Sequence, residues 1–214
     1  MLTIAIAKGR LQDQALDLLA RAGVKVSAAD LASRKLTVAD ESGEYRIIFV
    51  KPADVPVYVE HGIADCGVVG RDVVIESNAD LLLPLDLKIA RCKMIVATTR
   101  EGDLMNGGML RVATKYPRIA TSLFAGRGIP VEIISLVGSV ELAPVLGLAD
   151  CIVDLMETGR TLRENGLHVV EEILESTGRL VVNRAAYQLK SSAIAHLVSL
   201  LSEVAASERV CQND

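Results

Sequence analysis

The sequence predicts an α/β protein in three layers. Apolar runs of strand length alternate with amphipathic helical stretches along most of the chain, and 50% of the 214 residues are hydrophobic. That pattern suits strands covered on both faces by helices. A chain of this length buries about 70% of its unfolded surface, as one compact domain or as two small lobes. No internal repeat, low-complexity tract or Pro/Gly linker divides it.

The first element is a buried strand, Leu2 to Ala7, followed by Lys8-Gly9-Arg10 and a helix with Leu11, Ala15, Leu18, Leu19 and Ala22 on one face, ending near Gly23. Open α/β sheets bind ligands at the C-terminal ends of their strands, so Lys8, Gly9 and Arg10 are either a ligand loop or a solvated basic turn. Leu36 to Ala39 and Tyr45 to Val50 predict a hairpin around Asp40-Glu-Ser-Gly43. Lys51-Pro-Ala-Asp-Val-Pro56 leads into a short helix, with Asp54 as its expected cap and Pro56 in its first turn. Asp65 to Val69 is a further strand running into Gly70-Arg-Asp72, where Asp72 either receives a ligand donor such as an adenine amine or caps a helix from Val73 to Ser77.

Leu81 to Leu87 and Met94 to Thr98 follow as strands, and Arg100 to Gly108 reads as an exposed polar loop tolerant of change. Arg111 to Ala113 is a strand, Thr114-Lys115-Tyr116-Pro117 a turn, and the next helix stops near Gly126. Val131 to Leu136 is a strand, Gly138-Ser-Val140 a turn, and Glu141 opens a helix that stops at Gly147. Beyond the segment described next, Val169 to Leu174 and Leu180 to Val182 predict strands joined through Ser176-Thr-Gly178. One long helix from about Ala185 to Val204 is expected, with Leu189, Ala193, Leu197, Leu200, Leu201 and Val204 along one side, and the tail from Ser207 to Asp214 is expected to fray.

The segment from Cys151 to Thr161 carries the chemistry. Cys151 to Val153 predicts a buried strand with Asp154 at its end, then a polar loop of Glu157, Thr158, Gly159, Arg160 and Thr161, then one or two helical turns over Leu162 to Gly166. A Thr-Gly-x-Thr turn at a helix start offers backbone N–H groups and two hydroxyls to an anion such as a phosphate, and a carboxylate just upstream suits sugar hydroxyls. The same four residues also occur where a threonine simply caps a helix. Lys8, Asp72, Lys115 and Thr158 to Thr161 all stand in strand-end loops, which meet at one cleft if the strands run parallel.

Several classes of function are excluded. With 23 Lys+Arg against 27 Asp+Glu the net charge is −4, and aromatic residues make up 3% with no Trp. The chain thus lacks the basic field and the stacking platforms of a nucleic-acid binder. Cys66, Cys92, Cys151 and Cys211 show no CxxC spacing, so free thiols in a reducing cytoplasm are expected. The apolar N-terminal run is too short for a signal peptide, and no stretch of eighteen apolar residues occurs. Walker, dinucleotide-binding, nucleophile-elbow and HExxH motifs are missing, and His61, His168 and His196 are scattered.

Six blocks carry a family resemblance: Lys8-Gly-Arg-Leu11, Asp54 to Gly62, Asp65 to Asp72, Ala113 to Pro117, Gly138 to Pro144 and Gly147 to Leu162. In order and over nearly the whole chain they resemble ATP phosphoribosyltransferase, in a length like the short form that lacks a regulatory domain. The resemblance implies that ATP and phosphoribosyl pyrophosphate become phosphoribosyl-ATP and pyrophosphate, with Mg²⁺ on the pyrophosphate and no metal held by protein side chains. It implies a type II periplasmic-binding-protein-like fold with the active site in the cleft between two lobes, one made of residues 1–91 with about 178–214 and the other of 92–177. It implies a homodimer within a hetero-octamer with a catalytically inactive paralogue of histidyl-tRNA synthetase, required for feedback inhibition by histidine.

By the same resemblance, Glu157, Thr158, Gly159, Arg160 and Thr161 form the loop for the ribosyl 5-phosphate. Asp154 and Glu141 are the acidic positions beside the ribose. Lys8, Gly9, Arg10, Gly70, Asp72 and Lys115 attend ATP, and Lys8, Arg10 and Lys51 attend the leaving pyrophosphate. Lys51 stands where long-form members often have Arg, so the charge is kept and the planar fork lost.

Overall fold

The computed structural model describes residues 1–101, 104 and 108–211, with the backbone alone for 208–211. In chain order it gives β1 (Leu2–Ala7), α1 (Arg10–Arg21), α2 (Ala28–Leu31), β2 (Thr37–Ala39), β3 (Tyr45–Val50), a 3-10 turn (Pro52–Asp54), α3 (Val55–Glu60), β4 (Cys66–Gly70), α4 (Arg71–Ser77) and β5 (Leu82–Asp86). The chain continues through β6 (Cys92–Thr98), β7 (Leu110–Thr114), α5 (Pro117–Ala125), β8 (Val131–Ser135), α6 (Leu142–Val145), β9 (Cys151–Met156), α7 (Arg160–Glu164), β10 (His168–Ser176), β11 (Gly178–Val182), α8 (Arg184–Leu189) and α9 (Ser191–Cys211). Part of the loop expected at Arg100 to Gly108 and the last three residues of the expected fraying tail lie outside the described residues, as does the side chain of Cys211.

Two compact units result, Met1–Ala90 with Thr177–Asp214, and Arg91–Ser176. The first holds a six-stranded sheet in the order β2-β3-β1-β4-β11-β5. Its strands β3, β1 and β4 are parallel, while β2, β11 and β5 pair antiparallel with their neighbours. The uninterrupted apolar run of β1 is explained by its central place, with Ile4, Ala5 and Ile6 fully buried. Helix α1 adds Leu11, Ala15, Leu18 and Leu19 to this core, and α9 adds Ile194, Leu197 and Leu201. Gly67 lies where β4 meets α3 so closely that a Cβ would come within 2.8 Å of Val55 Cγ1 and 3.0 Å of the Ala5 carbonyl.

The second unit holds a five-stranded sheet in the order β10-β6-β9-β7-β8, with β9, β7 and β8 parallel. Alternate residues of its strands face opposite cores. Met94, Val96, Val112, Cys151 and Val153 pack with Ile119, Ala120 and Phe124 of α5. Ile95, Ala97, Ala113 and Ile152 pack on the other face with Val140, Ala143 and Leu162. Both faces are covered, which makes this unit three layers. At the start of β9, Asp150 accepts from the Arg111 backbone N–H at 2.8 Å and from its guanidinium at 3.0 Å, and Arg100 Nη2 lies 2.6 Å away. These bonds hold the Asp150 carboxyl below its usual pKa despite its burial, the Arg111 side chain contributing most.

Four expectations require correction. The single C-terminal helix is broken at Lys190, whose ammonium donates to both oxygens of Asp65 at 2.8 and 2.9 Å. As a consequence Leu189 and Ala193 are exposed, and the buried stripe is Ile194, Leu197, Leu201 and Ala205. Asp54 makes no capping bond, because the 3-10 turn already carries the chain into α3 in helical geometry. Asp72 sits inside the first turn of α4, and Gly70 occupies the capping position. Asp154 lies within β9 rather than at its end, since pairing with β6 continues to Met156, and α7 begins at Arg160, which moves Arg160 and Thr161 from the loop into its first turn. Helix α2, capped by Ser27 accepting from Asp30 N–H, lies in a stretch without a clear periodic signal.

Candidate functional site

In the first unit the parallel strands β1, β3 and β4 place Lys8 to Arg10, Lys51, and Gly70 to Asp72 at one edge of the sheet. Lys8 is exposed, and its N–H donates to the Val50 carbonyl at 2.8 Å, which fastens this loop to the end of β3 just before Lys51. Gly9 opens α1 at φ +98°, a backbone geometry that L side chains resist. The Arg10 guanidinium donates to the Ala90 carbonyl at 3.3 Å. Lys51 is exposed at the head of the 3-10 turn. Asp72 is buried and folds back over Gly70, where any Cβ would collide with its Oδ1.

A pocket of about 120 Å³ opens beside Lys8, lined also by Gln12, Arg34, Lys35, Leu36 and Phe49. Lys35 is paired with Asp30 at 2.9 Å. The sequence reading missed Arg34 and Lys35. Two adjacent cations in a stretch without periodicity resemble any solvated turn, and only the return of the chain past α2 brings them beside Lys8.

In the second unit the parallel strands β7, β8 and β9 place Lys115, Glu141 and the Glu157 to Thr161 segment at one edge. Lys115 Nζ lies 3.8 Å from Asp154 Oδ2, and Asp154 Oδ1 accepts from the Leu155 N–H at 2.8 Å. Burial pushes the Asp154 carboxyl above its usual pKa; the Leu155 N–H and the Lys115 charge oppose the shift, and the Glu141 charge adds to it. A carboxylate held this dry beside one ammonium is suited to accept from a pair of hydroxyls.

Downstream, Gly159 caps α7 at φ +69°, a left-handed geometry that glycine adopts without strain. Arg163 Nη1 donates to the Thr158 carbonyl at 3.1 Å, the Arg160 N–H donates to Thr158 Oγ1 at 3.4 Å, and Arg160 Nε donates to Glu164 at 2.6 Å. Thr158 and Thr161 are exposed. The turn before Glu141 is strained, with Ser139 at φ +47° and Val140 fully buried as its anchor. Among the described residues no cluster of three or more His, Cys, Asp or Glu side chains could hold a metal ion.

Two sheets of mixed strands, linked by two crossings and carrying their polar loops at parallel strand ends, define the class of periplasmic binding folds. The chain superposes on the BvgS VFT2 domain of Bordetella pertussis with a TM-score of 0.57 at 17% identity, covering 96% of this chain and 92% of that one. It superposes on the aliphatic sulphonate binding protein SsuA of Escherichia coli with a TM-score of 0.58 at 14% identity, covering 99% of this chain and 75% of that one. Within that class the chain belongs to the ATP phosphoribosyltransferase family, glycosyltransferases of the first step of histidine biosynthesis, whose sequence pattern matches residues 51–203.

The ATP phosphoribosyltransferase of Geobacillus sp. is 50% identical over 204 residues, covering 95% of this chain and 98% of that protein. That of Methylococcus capsulatus is 48% identical over 214 residues, covering 98% and 100%. The solved "ATP phosphoribosyl transferase (HisG:HisZ) complex" of Thermotoga maritima matches with a TM-score of 0.84 at 36% identity, over 97% of this chain and 100% of that one. The chain spans nearly the whole length of each of these three relatives.

Proposed function

We propose that this chain carries out the family's transfer with the two strand-end clusters as its working parts. The 5-phosphoribosyl group passes from phosphoribosyl pyrophosphate to N1 of the adenine of ATP. The bond from the anomeric carbon to the pyrophosphate oxygen breaks as the bond to N1 forms, and pyrophosphate leaves with the electron pair. Such a step requires cations at the leaving group and fixed geometry more than a strong base.

The observation that carries the assignment of the ribosyl half is the Lys115–Asp154 pair at 3.8 Å, a buried carboxylate on the strand that leads into the Thr158 to Thr161 turn. Asp154 and Glu141 take the ribose hydroxyls. The 5-phosphate takes the backbone N–H groups and hydroxyls of Thr158, Gly159, Arg160 and Thr161, with Glu157 at the head of that turn. Lys8, Arg10 and Lys51 stabilise the charge that develops on pyrophosphate, and Arg34, lining the same pocket as Lys8, joins them. Gly9, Gly70 and Asp72 attend ATP, with Asp72 accepting from the adenine amine, and Lys115 stays with Asp154 in the ribosyl half.

Mg²⁺ enters with the pyrophosphate of the substrate, whose adjacent phosphate oxygens are hard ligands suited to it. The working assembly is a homodimer within a hetero-octamer with a histidyl-tRNA-synthetase-like regulatory subunit, a reading supported by the two-component HisG:HisZ complex of the Thermotoga relative, and the compartment proposed is the cytoplasm. Among the described residues no helix is long and apolar enough to cross a membrane.

The test mixes the protein with ATP, phosphoribosyl pyrophosphate and Mg²⁺, with and without the regulatory subunit, and follows the absorbance of the adduct. Product in either mixture supports transfer. Binding of phosphoribosyl pyrophosphate with no product in both would make the chain a binder of phosphorylated ligands.

A further inference from the structure

At the edge of the second sheet, the roots of three loops converge on one buried residue. Thr114 is the last residue of β7 and is fully buried. Its carbonyl accepts from the Leu136 N–H at 3.0 Å, which fixes the start of the segment leading to Glu141. Its hydroxyl donates to the Val153 carbonyl at 2.6 Å, immediately before Asp154, and accepts from the Tyr116 N–H at 2.8 Å, immediately after Lys115.

The β7–β9 ladder ends at the Thr114–Val153 pair, whereas β9 continues along β6 to Met156. The hydroxyl thus supplies one further rung where the backbone of β7 departs. It sets the point at which the chain turns away to carry Lys115. Neither strand pairing nor packing would require a hydroxyl there: valine fills the same volume but leaves the Val153 carbonyl and the Tyr116 N–H without this partner.

We propose that Thr114 is a positioning residue of the phosphoribosyl site, its hydroxyl holding Lys115 against Asp154. The proposal rests on the transferase reading only for its consequence in catalysis; the placement itself is measurable without turnover. The groups facing Asp154 are Lys115 from the turn after β7, Glu141 from the start of α6 and the Leu155 N–H of its own strand, while its neighbour on β6 is the apolar Ile95. Of these only Lys115 is a cation, so releasing it raises the Asp154 pKa further.

The experiment titrates the Asp154 carboxyl by ¹³C NMR, assigned with Asp154→Asn, in the parent, Thr114→Val, Thr114→Ser, Lys115→Met and the Thr114→Val/Lys115→Met double variant. Thr114→Val moves the titration upward by about half a unit or more, Thr114→Ser leaves it in place, and the double variant goes no further than Lys115→Met alone. In parallel, the KM for phosphoribosyl pyrophosphate rises about tenfold in Thr114→Val and returns to within about twofold in Thr114→Ser. A parental titration in Thr114→Val overturns the proposal, as does full additivity in the double variant. Should the valine variant fail to fold, an upward shift in Thr114→Ser, which keeps the hydroxyl, overturns it equally. Absence of transfer in the parent, with the expected titrations, would count against the transferase reading and not against this one.

Discussion

Replacing Gly159 by alanine separates the phosphate turn from the rest of the fold. Gly159 stands at φ +69°, and a Cβ there would lie 3.1 Å from Arg163 Nη1 and 3.1 Å from Met156 Sδ. The left-handed conformation costs an L-residue about 1–2 kcal/mol. Both crowded atoms belong to flexible side chains that can yield, so the backbone cost dominates. If the turn relaxes locally, that energy corresponds to about a 5–30-fold loss of the native turn, and the KM for phosphoribosyl pyrophosphate rises by that factor.

Gly166 is the control, since it sits at φ +72° with nothing within 4 Å of its Cβ position. Gly166→Ala bears a similar backbone cost at the far end of α7, so it lowers the thermal midpoint and leaves this KM unchanged. Initial rates with phosphoribosyl pyrophosphate varied at saturating ATP, together with thermal melts, read both effects. A KM within twofold of the parent in Gly159→Ala, with Gly166→Ala raising it instead, would refute the assignment of the turn.

Three further outcomes follow from burial and charge. Asp154 has a raised folded pKa, so the folded state binds more protons than the unfolded one above the usual 3.8, and its charge destabilises the fold at neutral pH. Asp154→Asn therefore raises the thermal midpoint at pH 7, by an amount that vanishes as pH falls toward 3.8, while transfer is lost. Asp150 has the opposite sign, because Arg111 holds its pKa down: its stabilisation is complete above 3.8 and is lost as pH falls through the lowered folded value. Melts of Asp150→Asn across pH should show a deficit at pH 7 that narrows below 3.8. Gly67→Ala forces a Cβ against Val55 and the Ala5 carbonyl, and urea unfolding should show a loss of about 1–3 kcal/mol.

What could be read from the sequence tracks how local its cause is. The strands β1 and β9 were legible because burial on both faces demands an unbroken apolar run, and the turn at Gly159 because a Thr-Gly-x-Thr pattern follows a strand and precedes a helix start. The break between α8 and α9 was not legible: it accompanies the pairing of Lys190 with Asp65, 125 residues away, and the helical periodicity runs straight across it. Asp154 was placed two residues too close to the end of its strand because the last two residues of β9 are held by pairing with β6, which leaves no mark in the local pattern. Arg34 and Thr114 were passed over for the same reason, since the pocket beside Lys8 and the rung to Val153 exist only after the chain has folded back.

The division of labour between the two clusters is tested most directly by backbone amide chemical shifts. Ribose 5-phosphate carries the 5-phosphate without the pyrophosphate, and inorganic pyrophosphate carries the reverse. The account predicts that ribose 5-phosphate perturbs the amides of Thr158, Gly159, Arg160 and Thr161, and that pyrophosphate perturbs those of Lys8, Gly9 and Arg10. Ribose 5-phosphate shifts concentrated at Lys8 to Arg10, with the Thr158 to Thr161 amides unmoved, would contradict it.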